Sequence, residues 1–164
     1  MPIKRPKHLL IIGGGVFQVP AIKTAKSMGL KVVVTDYNPE AEGMLLADYP
    51  IEVSTRNINL TVNTAKQFHS TCPLDGVMTV GTDASQTVAA VADALGIPGI
   101  PFEVAERATD KIKMRQVLKE KGVPVPDFRP IWTLAECQEA VKVMPLPLVI
   151  KPCDNMGARG VRKI

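Results

Sequence analysis

The stretch HLLIIGGGVF, residues 8–17, decides the fold of this 164-residue chain. Its first five residues form a continuous apolar run, which predicts a short buried strand, and three glycines follow directly. Over residues 16–28 the apolar side chains recur along one helical stripe, and Gly29 ends the predicted helix. A strand, a glycine turn and a helix in this order indicate the opening of a βαβ unit.

The same alternation of strands and helices continues beyond this unit. We predict strands at residues 31–36, 50–53 and 76–80 and helices at residues 58–68 and 85–95, and IPGIP at residues 97–101 fits a short fifth strand or a loop. The strand KVVVTD is apolar on both faces, as expected where helices cover both sides of a sheet. The sequence therefore predicts an α/β fold with an open parallel Rossmann-like sheet and helices on both faces.

The character of the chain changes near residue 109. A basic helix over residues 111–121 is followed by a predicted strand at 128–132, a helix at 134–143, an apolar strand at 148–151 and a loop that contains glycines. We therefore expect two domains, residues 1–108 and residues 109–164, the second being the start of a small α+β subdomain.

Composition excludes several classes of protein. Hydrophobic residues make up 46% and charged residues 22% of the chain, which is typical of globular proteins and not of disordered, collagen-like or coiled-coil chains. The three cysteines have no CxxC or Cys/His spacing, so we expect neither disulfides nor a zinc site, and a cytoplasmic location. Glycines interrupt the first apolar run, which excludes a signal peptide or a membrane span there. Aromatic residues make up only 4%, which disfavours nucleic-acid binding.

Polar residues and glycines follow three of the predicted strands. Ligands of open α/β sheets bind beyond the carboxyl ends of the strands, so we take these residues as candidate substrate-binding residues: Gly13, Gly14, Gly15, Asp36, Thr82 and Asp83. The glycine amides either receive an anionic group or form a tight turn that needs positive φ. Gln18 stands at the third glycine position of a dinucleotide-binding motif. Asp83 either orients a substrate or caps the helix that follows it.

Lys151 ends the strand LPLVIK, which we expect to be buried on both faces. An unpaired ammonium group there would be costly, so an anion should meet it, unless its stem packs while the charge reaches solvent. In the loop that follows, Gly157 and Gly160 free the backbone to wrap an anion, and Arg159 adds a positive charge. Lys111 begins the basic helix and either faces the same crevice or belongs to a solvated face.

Four segments in order resemble the ATP-grasp superfamily: GGG after the first strand, GTDASQTVAAVADALGIPGIP, ATDKIKMRQVLKEKGVPVPDF, and VIKP with its glycine loop. The resemblance is to the branch that holds the carbamoyl-phosphate synthase large chain, biotin carboxylase, purine-biosynthesis carboxylases and amino-acid ligases, and it covers essentially the whole chain. It implies that residues 1–108 are a preATP-grasp domain and residues 109–164 an incomplete small ATP-grasp subdomain.

The resemblance implies that ATP phosphorylates a small carboxylate or bicarbonate and that an amine or related nucleophile then displaces phosphate. ATP and Mg²⁺ are the implied cofactors. The implied phosphate-binding residues are Lys111, Lys151, Asn155, Met156, Gly157, Ala158, Arg159 and Gly160. The Mg²⁺ ligands and the catalytic residues are expected beyond residue 164, so none is assigned in this span.

The chain is accordingly expected to be an N-terminal fragment of a ligase, whose activity is assigned to the parent protein and left undecided for this span alone. Neither a membrane nor a nucleic-acid partner is expected, and a homodimer is left open. The alternative hypothesis is a free-standing Rossmann-like module that binds a small anionic metabolite or a dinucleotide at residues 13–15 without chemistry.

Overall fold

A computed structural model describes residues 5–155 and 157–164. The chain divides into two compact units, Met1–Ala105 and Glu106–Ile164. No helix in the described part of the chain has both the length and the apolar character needed to cross a membrane.

Unit 1 contains a four-stranded sheet in which every pair is parallel and the strand order is β3-β2-β1-β4. Its strands are β1 His8–Ile12, β2 Lys31–Asp36, β3 Tyr49–Glu52 and β4 Leu74–Met78. The helices are α1 Val19–Ser27, α2 Glu42–Leu46, α3 Ile58–Thr71, α4 Ser85–Leu95 and α5 Phe102–Thr109, the last of which continues into unit 2. The predicted α/β fold with a parallel sheet is confirmed. Residues 97–101 form a loop, not a fifth strand.

Successive side chains of the central strands point to opposite faces of the sheet, and both faces are covered. On one face Leu10, Ile12 and Val33 pack in a cluster with residues of α3 and α4. On the other face Ile11, Val32 and Val34 pack with residues of α1 and α2. These six strand side chains are at most 1% exposed, which explains why consecutive residues in the middle of β1 and β2 are apolar.

Unit 2 contains two further helices and a two-stranded antiparallel sheet. Its elements are α6 Lys111–Glu120, α7 Leu134–Val143, β5 Val149–Ile150 and β6 Arg162–Lys163. The strand expected at residues 128–132 is not formed, so that prediction is wrong. Pro130 has no N–H to donate, and the described part of unit 2 pairs no strand with this segment.

Candidate functional site

The glycine turn after β1 is held by the protein's own hydrogen bonds. Gly13, at φ 98°, donates its N–H to the Thr35 carbonyl at 2.8 Å, and Gly14 donates to Oδ2 of Asp36 at 2.8 Å. The other carboxylate oxygen of Asp36 accepts from the Asn38 amide at 3.0 Å. The amides of Gly13 and Gly14 therefore hold the turn against β2, as the tight-turn interpretation requires.

Gln18 fills the space above this turn. Its side chain is buried, at 4% exposure, and its Nε2 donates to the Val80 carbonyl in the loop after β4. A Cβ placed on Gly13 would lie 3.3 Å from Cδ of Gln18. Gln18 thus stands where the dinucleotide-binding motif has its third glycine, and its side chain joins two loops. This arrangement argues against a dinucleotide at this turn.

Gly43 is part of this arrangement, and the sequence analysis missed it. It lies in α2, a five-residue helix that was not predicted from the sequence, and its N–H donates to the Gly14 carbonyl at 2.6 Å. A Cβ on Gly43 would lie 2.6 Å from that carbonyl oxygen and 2.7 Å from Cδ1 of Ile22. In the sequence, Gly43 stands between Glu42 and a run of apolar residues, and this pattern could have indicated a close approach of two backbones.

The remaining candidates of unit 1 follow β4. Thr82 and Asp83 are half-buried, and Oδ2 of Asp83 lies 3.9 Å from Nη2 of Arg56. The N-cap position of α4 is taken by Ala84, one residue after the position expected for a capping Asp83. Asp36 is the last residue of β2, while residues 13–15, Thr82 and Asp83 follow β1 and β4. All lie near the carboxyl ends of neighbouring strands, where substrate binding stays a prediction.

Unit 2 contains a cavity of about 410 Å³ that brings distant cations together. Most of the predicted phosphate-binding residues line it: Lys111, Lys151, Asn155, Gly157, Ala158 and Arg159. Its other lining residues include apolar ones such as Met114 and Val161. Gly160 follows Arg159 in the chain and is not one of the lining residues. Met156 lies outside the described residues.

The backbone of the loop between β5 and β6 is strongly curved. Gly157, Ala158 and Gly160 have φ of 67°, 56° and 78°, all in the left-handed region. A Cβ on Gly160 would lie 2.8 Å from Cγ of Pro152, so this position requires a glycine. The loop therefore folds back closely on the strand end that carries Lys151.

Lys151 is exposed, which corrects the expectation that it ends a strand buried on both faces. The strand β5 is only two residues long, pairs only with β6 among the described residues, and leaves Val149 60% exposed. The strand is therefore too exposed for its burial to require an anion beside Lys151. The pKa of Lys151 is nevertheless lowered, by partial desolvation and by the positive charges of Arg115 and Lys111. These cations lie close enough to repel one another, and an anion between them would relieve that repulsion.

Lys111 is half-buried at the start of α6, and its ammonium group faces the loop. Its Nζ donates to the carbonyl oxygens of Asn155 at 2.6 Å and Cys153 at 3.2 Å. The first amides of the helix are taken by Asp110, whose Oδ1 accepts from Ile112 and Lys113. Positive charge at this end of α6 therefore comes from side chains and not from unpaired helix amides.

The lining of the cavity in unit 2 does not suit a magnesium ion. The described residues contain no group of three or more His, Cys, Asp or Glu side chains that could hold a metal ion. Mg²⁺ prefers oxygen ligands such as carboxylates, while the cavity of unit 2 is lined by cations, amide groups and apolar side chains. Its residues fit a polyanion and do not fit the metal.

Comparison with known proteins is consistent with this arrangement. Residues 22–99 match the ATP-grasp N-terminal domain family. An uncharacterized protein, y4rH, of Sinorhizobium fredii is 33% identical over 67% of this chain and 23% of its own length. The carbamoyl phosphate synthase large chain of Methanoregula boonei is 26% identical over 94% of this chain and 16% of its own length.

Among solved structures, the L-amino acid ligase from Bacillus licheniformis aligns with 99% of this chain at a TM-score of 0.76 and 27% identity. The chain covers 40% of that ligase and so spans well under half of each of these proteins. Residues 22–99 are thus an ATP-grasp N-terminal domain, and along nearly its whole length the chain is similar to ATP-grasp ligases.

Proposed function

We propose that this chain binds the phosphate groups of ATP for an ATP-dependent ligase that activates a small carboxylate or bicarbonate as an acyl phosphate. The observation that carries the proposal is the cavity of unit 2, where Lys111 and Lys151 meet although 40 positions separate them in the chain. Arg159 lines the same cavity, and the charge of Arg115 acts on Lys151. A site with this much positive charge suits a triphosphate.

The chemistry of phosphoryl transfer explains why such a site would contain lysines and a glycine loop and no nucleophile. An oxygen of the carboxylate attacks the γ-phosphorus of ATP, the bond to ADP breaks, and the negative charge is spread over the phosphoryl oxygens. Positioned cations and backbone groups stabilise that charge. In the second step an amine nitrogen attacks the acyl carbon, and phosphate leaves with the electrons of the C–O bond.

Each unit has a separate part in this proposal. Residues 109–164 supply the phosphate-binding cations as the start of a small ATP-grasp subdomain, and the carboxyl edge of the parallel sheet in unit 1 binds the small-molecule substrate. There the half-buried Gly15, Thr82 and Asp83 are the contacts we assign. Bound Mg²⁺ would neutralise part of the phosphate charge.

The proposal is tested by measuring the binding of ADP, ATP and inorganic tripolyphosphate to this chain by titration calorimetry. We expect all three to bind, adenosine to bind far more weakly, and Lys151→Met to weaken ADP binding about tenfold, the effect of losing a charge-assisted hydrogen bond. Raising the salt concentration should weaken binding to the wild-type protein.

Lys121→Met is the matched control, because it removes the same charge from an exposed position at the end of α6 that does not line the cavity. We expect its ADP affinity to equal that of the wild type. Equal affinity of the wild type and Lys151→Met, or no binding of any of the three phosphates, would contradict the proposal.

A further inference from the structure

Three apolar side chains are exposed beside the glycine turn of unit 1. The exposed fractions of Val16, Phe17 and Val80 are 61%, 71% and 39%. Val16 and Phe17 directly follow the three glycines, and Val80 lies in the loop after β4. Nε2 of Gln18 donates to the Val80 carbonyl, so the two segments are held side by side. We call Val16, Phe17 and Val80 the apolar patch.

The contact of Phe17 with Gly81 locates this patch on the edge of the sheet. A Cβ placed on Gly81 would lie 3.1 Å from Cβ of Phe17, so the side chain of Phe17 begins directly against the loop after β4. Asp83 is two residues further on, and two residues of chain span at most about 7 Å. The apolar patch therefore lies within the length of one small molecule of the polar contacts assigned at Thr82 and Asp83.

The same edge carries one charge of each sign. Oδ2 of Asp83 lies 3.9 Å from Nη2 of the exposed Arg56, which follows β3. Charge-assisted hydrogen bonds between such groups are about 2.7–2.9 Å long, so these two atoms are neighbours that are not hydrogen-bonded to each other. An exposed guanidinium offers a planar fork of N–H donors that matches a carboxylate. A positive and a negative charge thus lie within reach of the apolar patch.

We infer that the substrate of unit 1 is an amino acid with an apolar side chain, and that Phe17, together with Val16 and Val80, determines the specificity for that side chain. The inference rests on the proposed function, since it names the class of substrate for the edge of the sheet assigned there. Asp83 attracts the ammonium group of the amino acid, Arg56 attracts its carboxylate, and the side chain lies on the apolar patch.

The chemistry of the edge favours this occupant over bicarbonate. Small-molecule sites combine apolar surface with a few polar groups that fix the orientation of the ligand. Bicarbonate has no apolar group, so it would leave the apolar patch in water and gain nothing from it. The charges of Arg56 and Asp83 balance, which suits a zwitterion and gives a single negative charge no net attraction. An amino acid with an apolar side chain uses both features.

The inference is tested by titrating the isotope-labelled chain with L-phenylalanine, glycine and sodium bicarbonate, followed by NMR of the backbone amides. We expect L-phenylalanine to shift the amide signals of residues 15–17 and 80–83. It should bind about tenfold more tightly than glycine, which has the same charged groups and no side chain, because the ring covers apolar surface. Bicarbonate should bind more weakly than L-phenylalanine.

Phe17→Ser removes most of the apolar patch from an exposed position, and the amide spectrum shows whether the fold is kept. This variant should bind L-phenylalanine about tenfold more weakly than the wild type does and should bind glycine equally well. Met28→Ser is the matched control, because Met28 is equally exposed and lies at the other end of α1. Its affinity for L-phenylalanine should equal that of the wild type.

Arg56→Gln tests the charged part of the site. It should weaken the binding of L-phenylalanine and glycine by the same factor, because both ligands carry the carboxylate. Lys66→Gln removes the same charge from an exposed position in the middle of α3 and should leave both affinities unchanged.

Four results would overturn the inference. They are equal wild-type affinity for L-phenylalanine and glycine, unchanged affinity for L-phenylalanine in Phe17→Ser, bicarbonate binding as tight as that of L-phenylalanine, and a wild-type dimer in sedimentation that Phe17→Ser makes monomeric. The last would assign the apolar patch to a contact between two copies of the chain.

The phosphate titrations of unit 2 separate this inference from the proposed function. Binding of ADP without binding of L-phenylalanine would contradict the inference alone. Binding of L-phenylalanine without binding of any phosphate would support the role of Phe17 and contradict the proposed function.

Discussion

Single residues explain why the turn after β1 keeps its shape. The N–H of Gly14 donates to the Asp36 carboxylate, and the carbonyl of Gly14 accepts from the N–H of Gly43. Gln18 closes the space above Gly13. Both carboxylate oxygens of Asp36 thus accept backbone N–H groups, from Gly14 and from Asn38.

Replacing Gly43 by alanine should destabilise unit 1 by about 1–3 kcal/mol, since the added methyl group meets a backbone oxygen that cannot move away. Urea denaturation followed by circular dichroism measures the change. Gly76→Ala is the control, because its Cβ would meet only Cδ1 of Leu9 at 3.4 Å, and it should change the free energy of unfolding by less than about 1 kcal/mol. Equal effects of the two substitutions would contradict the close packing described at Gly43.

Some elements are stabilised by contacts between residues that are close in the sequence. The helix α7 begins with a capping box, in which Oγ1 of Thr133 accepts from the Glu136 amide and the Glu136 carboxylate accepts from the Thr133 amide. The pKa of Glu136 is lowered by its hydrogen bonds from the Trp132 and Thr133 amides. Because these partners lie within four residues, the start of this helix is specified by its own sequence.

Thr133→Ala should lower the stability of unit 2 by about 0.5–2 kcal/mol through loss of this cap. The measurement is the free energy of unfolding from urea denaturation monitored by the fluorescence of Trp132, the only tryptophan of the chain. Gln138→Ala, on an exposed position of the same helix, serves as the control and should stay within about 0.5 kcal/mol of the wild type. A larger loss in Gln138→Ala than in Thr133→Ala would be evidence against the cap.

At the scale of the whole molecule, the two units differ in the size of their apolar cores. Unit 1 buries apolar side chains on both faces of its sheet. In unit 2, Ala140 is the only hydrophobic side chain that is fully buried among the described residues, and Trp132 is 76% exposed. Because apolar burial supplies most of the free energy of folding, the smaller core of unit 2 should open more easily.

Hydrogen exchange should therefore show amides of β1 and β2 exchanging at least about 100-fold more slowly than those of α6 and α7, because opening free energies range from near zero to that of global unfolding. Mass spectrometry of proteolytic peptides from the nucleotide-free chain measures both sets at once. Equal protection of the two sets would mean that the chain opens as a single cooperative unit.

The sequence alone predicted those elements whose apolar residues follow a clear pattern. The bounds of β1, β2, α4 and α7 agree with the predicted ones, because each has an unambiguous apolar period and clear flanking residues. The helices α2 and α5 were missed; they have only five and eight residues, so few turns of pattern mark them. The strand predicted at residues 128–132 failed because a β-like composition forms a strand only where another strand offers hydrogen bonds.

By itself the sequence determined the class of fold, the four strands of unit 1 and the identity of the cationic residues, because these depend on side-chain pattern and on residue type. Only the tertiary structure decided that Gly43 supports the glycine turn, that Lys151 is exposed, and that Lys111 donates to loop carbonyls 42 and 44 residues away. Such contacts depend on how distant segments meet in space, and no local pattern encodes that.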